Sequence, residues 1–385
     1  SIFKHAFYYI LNMKKPLIVI DDEIPFVFGV LEAFFEVHYL PGAKITNSDL
    51  KNALALLVRT RTRCDKTLLK NTPVQFIATA TVGEDHLDTE YLIQKNIKWT
   101  NAAGANSQSV VTYTWCAILE ILKFKKQKFR DIQLGIIGYG KIGSTLYQWA
   151  RALEIPCLVY DPFISDSSKQ VPLTSFENLL KQSDIVSLHV PLTSTGPYPT
   201  KALFAQTTLE KMKKNAFLIN TSRGEVVDNQ ALFNHLQSHP DFGAVLDVWE
   251  KEPHIHLELL EKVFIGTPHI AGYSLDGKAN ASKQAIHVLG DFFGFHELKK
   301  FKPVIQSETN ELSFEANGEF SFYHNLFTQI YPILRDNEAL KKSPSSFESL
   351  RKYYPKRRDP SAYSLKSYEI QQKNQSVLKK MGFVL

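Results

Sequence analysis

Only three cysteines occur in this 385-residue chain, and they offer no pattern. Cys64, Cys116 and Cys157 are odd in number, scattered and without metal-ligand spacing, which argues against both disulfide staples and a zinc site. Such usage fits a reducing compartment, and the cytoplasm is the expected location. No apolar run reaches the ~18–20 residues that a membrane span requires. Strong charge of one sign is missing too, since the formal net charge is +6. Much of that lies in residues 341–360, with seven Lys/Arg against two acids. The run reads first as a solvated helix face, then as a contact for an anionic substrate or partner subunit. Nucleic acid ranks last, and neither it nor a membrane is an expected partner. Ser1 to Asn12 carry Phe3, Phe7, Tyr8 and Tyr9 but no small-residue cleavage site. They read as an extension ahead of a start at Met13 rather than as a signal peptide.

The length allows two or three domains with separate cores. After Met13, Leu17–Ile20, Ala55–Val58, Phe76–Thr79 and Ile97–Trp99 read as strands. Pro25–Phe35, Asp65–Leu69 and Asp85–Lys95 read as helices. A long helix from Ser107 to Phe124 leads into a second series of strands: Gln133–Ile137, Cys157–Tyr160, Ile185–His189, Ala216–Ile219, Gly243–Leu246 and Val263–Ile265. A polar turn at Ser165–Ser168 precedes a helix at Thr174–Lys181. Alternating strands and helices imply α/β architecture with parallel sheets. A helix over Lys278–Phe295 returns the chain to the first domain, so the second is an insertion, with a ligand cleft between the lobes. The expected boundaries are 13–106 with 282–301, then 107–281, then 302–385. In the last part Leu312–Phe322 alternates around a turn and predicts a hairpin. Helices follow at His324–Asp336, Phe347–Tyr354 and Gln371–Met381. This smaller α+β domain has no catalytic motif, and oligomer contact is its expected task.

The strongest local signal lies in the inserted domain. Strand Gln133–Ile137 runs into Gly138-Tyr-Gly140-Lys-Ile-Gly143, where a helix opens. Backbone N–H groups and a helix N-terminus there suit a pyrophosphate. The next strand ends at Asp161, 18 residues past the last glycine. A carboxylate at that place accepts from both ribose hydroxyls of NAD and repels the 2′-phosphate of NADP. The loop alone is a weak motif, but strand, helix and acid together make it specific. Gly138, Gly140, Lys141, Ile142, Gly143 and Asp161 are therefore cofactor candidates.

Nicotinamide chemistry also needs a carboxylate anchor, a proton acceptor and a group to orient the acceptor. Each has a candidate at a strand end. Arg223, in Asn220-Thr-Ser-Arg-Gly224, presents a planar fork suited to a carboxylate. Asp247-Val-Trp-Glu-Lys-Glu-Pro253 offers Glu252 as the histidine's partner, with Glu250 as a rival that spacing does not eliminate. Asp247 is either a loop cap or a neighbour of the nicotinamide. Among 12 histidines, His269 stands out because it follows a strand between Pro268 and Gly272. Arg59, Arg61 and Arg63 alternate just past a strand and would share a face if it continued. Arg59 is the first choice for an anionic substrate group, with Arg357 and Arg358 as weaker candidates reaching a partner's site.

Asn220–Gly224, Asp247–Pro253 and Pro268–Ile270, in that order, resemble the hallmark run of the D-isomer-specific 2-hydroxyacid dehydrogenase family. The similarity extends from Met13 to about Phe295. A narrower resemblance, to the branch of that family acting on 4-phosphoerythronate, rests on further runs. These are Val58-Arg-Thr60, Thr79-Ala-Thr81 with Gly83 and Asp85-His86, His269–Ser274, Leu246–Glu250 and the tail Leu350–Arg358. The resemblance implies a Rossmann-type NAD domain inserted in a flavodoxin-like substrate domain, with an appended domain that forms a homodimer. It implies Arg223, Glu252 and His269 as catalytic residues. Cofactor contacts implied are Asp161, Val190, Thr221, Ser222, Arg223, Asp247 and Gly272; substrate contacts are Thr60, Thr81 and Tyr273. Two departures stand out: Gly104-Ala-Asn-Ser107 lacks the cysteine of Gly-Cys-Asn-Ala, and Val190 replaces a threonine, leaving only backbone to make that contact.

The implied reaction is NAD-dependent oxidation of 4-phospho-D-erythronate to 2-oxo-3-hydroxy-4-phosphobutanoate, a step toward pyridoxal 5′-phosphate (vitamin B6). His269 would take the O2 proton while Glu252 fixes its tautomer. The rivals are a sibling dehydrogenase acting on 3-phosphoglycerate, glycerate or lactate, and a non-catalytic NAD-sensing regulator.

Overall fold

Along β1 (Leu17–Asp21), Val19 packs into the core on one face of a sheet while Ile18 and Ile20 pack into the core on the other. A strand covered on both sides reads as a continuous apolar run, as strands of parallel sheets do. The computed structural model describes residues 15–164, 171–306, 310–365 and 372–385. The expected extension at 1–12 and polar turn at Ser165–Ser168 lie outside them. The chain divides into two compact units: residues up to Asn106 with Asp276–Gln306, and Ser107–Leu275 with the chain beyond residue 306.

In the first unit, β1 joins β2 (Glu36–Leu40), β3 (Ala53–Val58), β4 (Phe76–Thr79) and β5 (Lys98–Thr100), all parallel. Their order is β2-β1-β3-β4-β5, the arrangement of flavodoxin-like sheets. Ala285, Ile286 and Leu289 of helix Leu275–Phe293 bury against one face. The helix expected over Pro25–Phe35 is absent; the segment is a chain of turns with Phe26 at φ 64° and Gly29 at φ 79°. Buried Ile24, Val27, Leu31 and Phe35 imitate a helical period while the backbone folds otherwise. The edge strand β2 carries no apolar run, because its pattern is half exposed. That removes the signal by which strands are read.

The second unit builds a six-stranded parallel sheet from β6 (Leu134–Ile137), β7 (Cys157–Tyr160), β8 (Ile185–Leu188), β9 (Phe217–Asn220), β10 (Gly243–Leu246) and β11 (Ile265–Gly266). The order is β11-β10-β9-β8-β6-β7. Leu173 adds a single parallel bridge to Val159 on the outer side of β7. Counting that bridge as the third strand gives the 3-2-1-4-5-6 order of dinucleotide-binding sheets, with β11 added as a seventh at the far edge. The order reverses between β6 and β8, so the crevice for a ligand opens where the glycine loop leaves β6.

Strand residues Ile136, Ile219 and Val245 share one core with helices Ser107–Lys125 and Lys141–Ala152. Leu188, Leu218 and Leu246 share another, with helix Asn229–Ser238. The predicted hairpin at Leu312–Phe322 does not form. β12 (Asn310–Leu312) pairs in parallel with β13 (Tyr363–Leu365), and Glu319–Ile330 is a helix. Phe322, Tyr323, Leu326, Phe327 and Ile330 are buried at helical spacing, and Gly318, at φ 98°, precedes the helix. The alternating aromatics were the misleading feature. Helices Ile333–Lys342, Phe347–Lys352 and Gln372–Lys380 complete the segment, whose Phe322, Leu326 and Phe327 join the first of those two cores.

Candidate active site

The glycine loop is shaped by close approaches. A Cβ on Gly138 would lie 2.4 Å from the His189 carbonyl oxygen, and one on Gly143 would lie 2.0 Å from that of Gly138. Gly138 also needs its φ of +90°. Gly140 differs, since a Cβ there meets nothing within 4 Å. It precedes helix Lys141–Ala152 without a side-chain cap, so the helix N-terminus faces open space lined by backbone donors. Asp161 braces the loop: Oδ2 accepts from Tyr139 N (2.8 Å) and Oδ1 from Phe163 N (3.0 Å). Val190 sits against Gly138, close enough to touch an added Cβ. Lys141 is exposed, Ile142 is half-buried, and the buried Thr221 hydroxyl has no hydrogen-bond partner. An open cradle, an uncapped helix start and an orphaned hydroxyl fit a dinucleotide.

The next three strand ends lie side by side. After β9, Asn220 locks the turn: Oδ1 accepts from Ser222 N (3.0 Å) and Oγ (2.8 Å), and Nδ2 donates to Arg223 O (2.9 Å). Arg223 is half-buried, with Nη1 donating to Ser222 O at 2.8 Å. Gly224 presses against the next strand's loop, where a Cβ would lie 2.0 Å from Trp249 O. In that loop Glu252 Oε2 accepts from His269 Nδ1 at 2.7 Å and Oε1 from Trp249 N at 2.9 Å. Glu250 faces elsewhere, accepting from Asn229 N at the start of a helix (2.9 Å). Burial works against the Glu252 carboxylate, but the His269 contact and the Trp249 N–H outweigh it and hold its pKa below the usual value.

Asp247 organises the histidine's own loop. Its Oδ1 accepts from Thr267 Oγ1 (2.7 Å) and Ile270 N (2.8 Å), and its Oδ2 from Ala271 N (2.9 Å). His269 N donates to the Asp247 carbonyl (2.8 Å). Burial raises the Asp247 pKa despite these donors. The loop-cap reading of Asp247 is the one these bonds show, at the strand-end edge of the sheet. Half-buried Gly272 follows directly.

In the first unit, Arg59 and Thr60 follow β3, and Thr81 follows the neighbouring β4. Arg59 Nε donates to buried Asp21 Oδ2 at 3.1 Å, and Nη2 pairs with Asp21 and Glu23. Thr60 is exposed, and Thr81 bonds Thr79 (2.7 Å) and Gly83 O (3.0 Å). His86 supports this pair through Nε2 to Thr79 Oγ1 at 3.0 Å. Burial pushes the imidazole's pKa down to about 4. The shared face expected of Arg59, Arg61 and Arg63 is lost, because β3 ends at Val58 and Thr62 N turns back onto Arg59 O.

Tyr273 carries an arginine of the C-terminal segment over its ring, Arg351 at 5.7 Å. Arg357, expected at a partner's site, is instead buried in its own chain. Nη2 donates to the carbonyls of Ile270 (3.1 Å) and Ala271, and the guanidinium stacks 4.3 Å from the Tyr331 ring. Its charge run looked solvated in sequence, and nothing local revealed a contact 87 residues away.

Residues 98–271 match the model for the D-isomer specific 2-hydroxyacid dehydrogenase NAD-binding domain, and 304–382 match a domain of unknown function. An erythronate-4-phosphate dehydrogenase from Bacteroides fragilis is 41% identical over 349 residues, 90% of this chain and 98% of that protein. The chain belongs to the erythronate-4-phosphate dehydrogenase family. The family's member in Teredinibacter turnerae is 36% identical over 92% of this chain and 95% of its own. Among solved structures, D-lactate dehydrogenase from Aquifex aeolicus, complexed with NAD and lactic acid, superposes with a TM-score of 0.63. It is 27% identical over 76% of this chain and 100% of that one. An NAD-bound 3-phosphoglycerate dehydrogenase from Entamoeba histolytica gives 0.62 and 25% over 75% and 100%. The nucleotide domain is an NAD domain of this family. Among the described residues no helix is long and apolar enough to cross a membrane.

Proposed function

We propose that this chain oxidises 4-phospho-D-erythronate at C2 to 2-oxo-3-hydroxy-4-phosphobutanoate, a step toward pyridoxal 5′-phosphate. The observation that carries the reading is the 2.7 Å bond between His269 Nδ1 and Glu252 at the edge of an NAD-binding sheet. With Nδ1 committed to a carboxylate, Nε2 is the nitrogen that takes the substrate's O2 proton. Bound NAD supplies the hydride acceptor for C2–H. Arg223 holds the C1 carboxylate beside the reacting carbon, and Glu252 stabilises the imidazolium as it forms. Gly138, Gly140, Lys141, Ile142 and Gly143 cradle the pyrophosphate, and Asp161 accepts from the ribose. Val190, Thr221, Ser222, Asp247 and Gly272 complete the cofactor contacts. Thr60, Thr81 and Tyr273 are assigned to substrate and Arg59 to its phosphate. The relatives' names support this choice of substrate.

The test measures NADH formation with 4-phosphoerythronate, 3-phosphoglycerate, glycerate and D-lactate, with and without an added 2-oxo acid that could reoxidise bound cofactor. Preference for 4-phosphoerythronate by at least tenfold in kcat/KM is expected. Faster turnover of 3-phosphoglycerate would make this a sibling dehydrogenase, and NAD binding without turnover of any would make it a sensor. Arg59→Ala should hurt phosphorylated substrate more than its dephosphorylated form; equal losses count against a phosphate role. The C-terminal segment is proposed to pair two copies of the chain, which light scattering of the purified protein checks. Three free thiols suit the cytoplasm.

A further inference from the structure

We propose that Arg357, from the C-terminal segment, is a positioning residue for the proton-transferring histidine of its own chain; this rests on the reading of His269 as the base. His269 sits at φ 56°, a left-handed conformation that a non-glycine residue holds only when its surroundings fix it. The two residues after it are gripped from opposite sides. Asp247 takes the N–H groups of Ile270 (2.8 Å) and Ala271 (2.9 Å), while Arg357 Nη2 donates to the carbonyls of the same two residues.

The guanidinium is itself fixed. Tyr331 lies 4.3 Å beneath it, and the Tyr331 and Tyr354 hydroxyls both donate to Asp336 Oδ2 (2.8 and 2.6 Å). Main chain closes the connection, since Leu275 N donates to Arg357 O at 2.8 Å. Two residues on, buried Asp359 accepts from Ser109 Oγ at 2.9 Å, and Ser109 bonds Ser274 at 2.5 Å. The segment from Tyr354 to Asp359 thus holds the loop at both 270–271 and 274–275. Both bonds leave one nitrogen, Nη2, which the guanidinium plane stacked on Tyr331 aims at the two carbonyls; a lysine ammonium has no plane to stack and so is not held in that aim. The appended segment therefore sets the aim of the imidazole as well as adding mass to the fold.

The test uses full-length protein and three variants, His269→Asn, Arg357→Lys and Arg357→Met. His269→Asn must abolish most turnover; if it does not, the base assignment fails, whatever Arg357 does. Given that loss, Arg357→Lys is expected to lower kcat at least ~10-fold, because small misplacements of reacting groups are costly. Its NADH Kd should stay near wild type even where Tm falls with the less well partnered buried charge, and the solvent isotope effect on kcat should rise as proton transfer becomes limiting. Arg357→Met should lose more. Where the methionine variant does not fold, the lysine variant decides, since it keeps the charge and most of the buried stem. A kcat within twofold of wild type in the lysine variant overturns the proposal. So does a kcat loss matched by equally weakened NADH binding, which would mean general loosening.

Discussion

Replacing Glu252 by glutamine swaps one oxygen for an amide nitrogen, and the surroundings dictate which. Oε1 accepts from Trp249 N at 2.9 Å and Oε2 from His269 Nδ1 at 2.7 Å. A glutamine must keep its oxygen toward the Trp249 N–H, because two donors facing each other leave both unsatisfied. Its NH2 group then faces Nδ1, which must become an acceptor, and the imidazole proton moves to Nε2. The nitrogen that should receive the substrate proton is now blocked. Loss of a general base costs ~10²–10⁴-fold, equivalent to about 3–5 kcal/mol on the barrier. Exchange of a charge-assisted bond for a neutral one costs the fold only about 1–2 kcal/mol. NADH absorbance gives kcat, and fluorescence titration gives cofactor affinity. The expected signature is a kcat at least ~100-fold lower with NADH Kd within about twofold. A glutamine variant keeping a fifth or more of wild-type kcat would refute the tautomer argument.

Three further outcomes follow from geometry. Gly140→Ala places a methyl where nothing lies within 4 Å, so Tm should hold while NADH Kd, by titration, rises ~10-fold or more as the pyrophosphate loses its approach. Gly224→Ala drives a Cβ to 2.0 Å from the Trp249 carbonyl; urea unfolding should show a loss of ~2 kcal/mol or more, with kcat falling as Arg223 moves. His86 is held neutral by burial, its folded pKa of about 4 lying below the unfolded value of about 6.5. The unfolded chain therefore binds more protons between those values. Stability from this group is complete above about pH 6.5 and is lost toward pH 4, by up to about 3 kcal/mol. Urea unfolding at pH 7.5 and 5.0 should show this slope in wild type and a flatter one in His86→Gln.

What could be read from sequence divides by the range of the interaction that carries it. Buried parallel strands are local apolar runs, so β4 and β10 were expected at Phe76–Thr79 and Gly243–Leu246, where they occur. The glycine loop was legible for a related reason, since Gly138 and Gly143 answer to contacts within or near one βαβ unit. Errors arose where a period had two meanings: Ile24, Val27, Leu31 and Phe35 keep helical spacing through turns, and Phe314, Phe320 and Phe322 alternate although the last two lie on a helix. The choice between Glu250 and Glu252 was beyond spacing altogether. Two residues apart on a tight loop, one caps a helix through Asn229 N and the other bonds an imidazole 17 positions on. Arg357 is the extreme case. Its composition is that of a charged surface run, and its fate is decided by carbonyls 86 and 87 residues earlier, together with an aromatic floor from Tyr331, just past the end of helix Glu319–Ile330. A buried cation depends on those partners acting together, because each offsets part of its desolvation, and here Nη1 is left buried without one. Residues of this kind become legible only when the segments that enclose them are placed together, which is why Arg223, Glu252 and His269 could be proposed from strand ends in sequence, whereas Arg357 was assigned to a partner's site and not to the loop it grips.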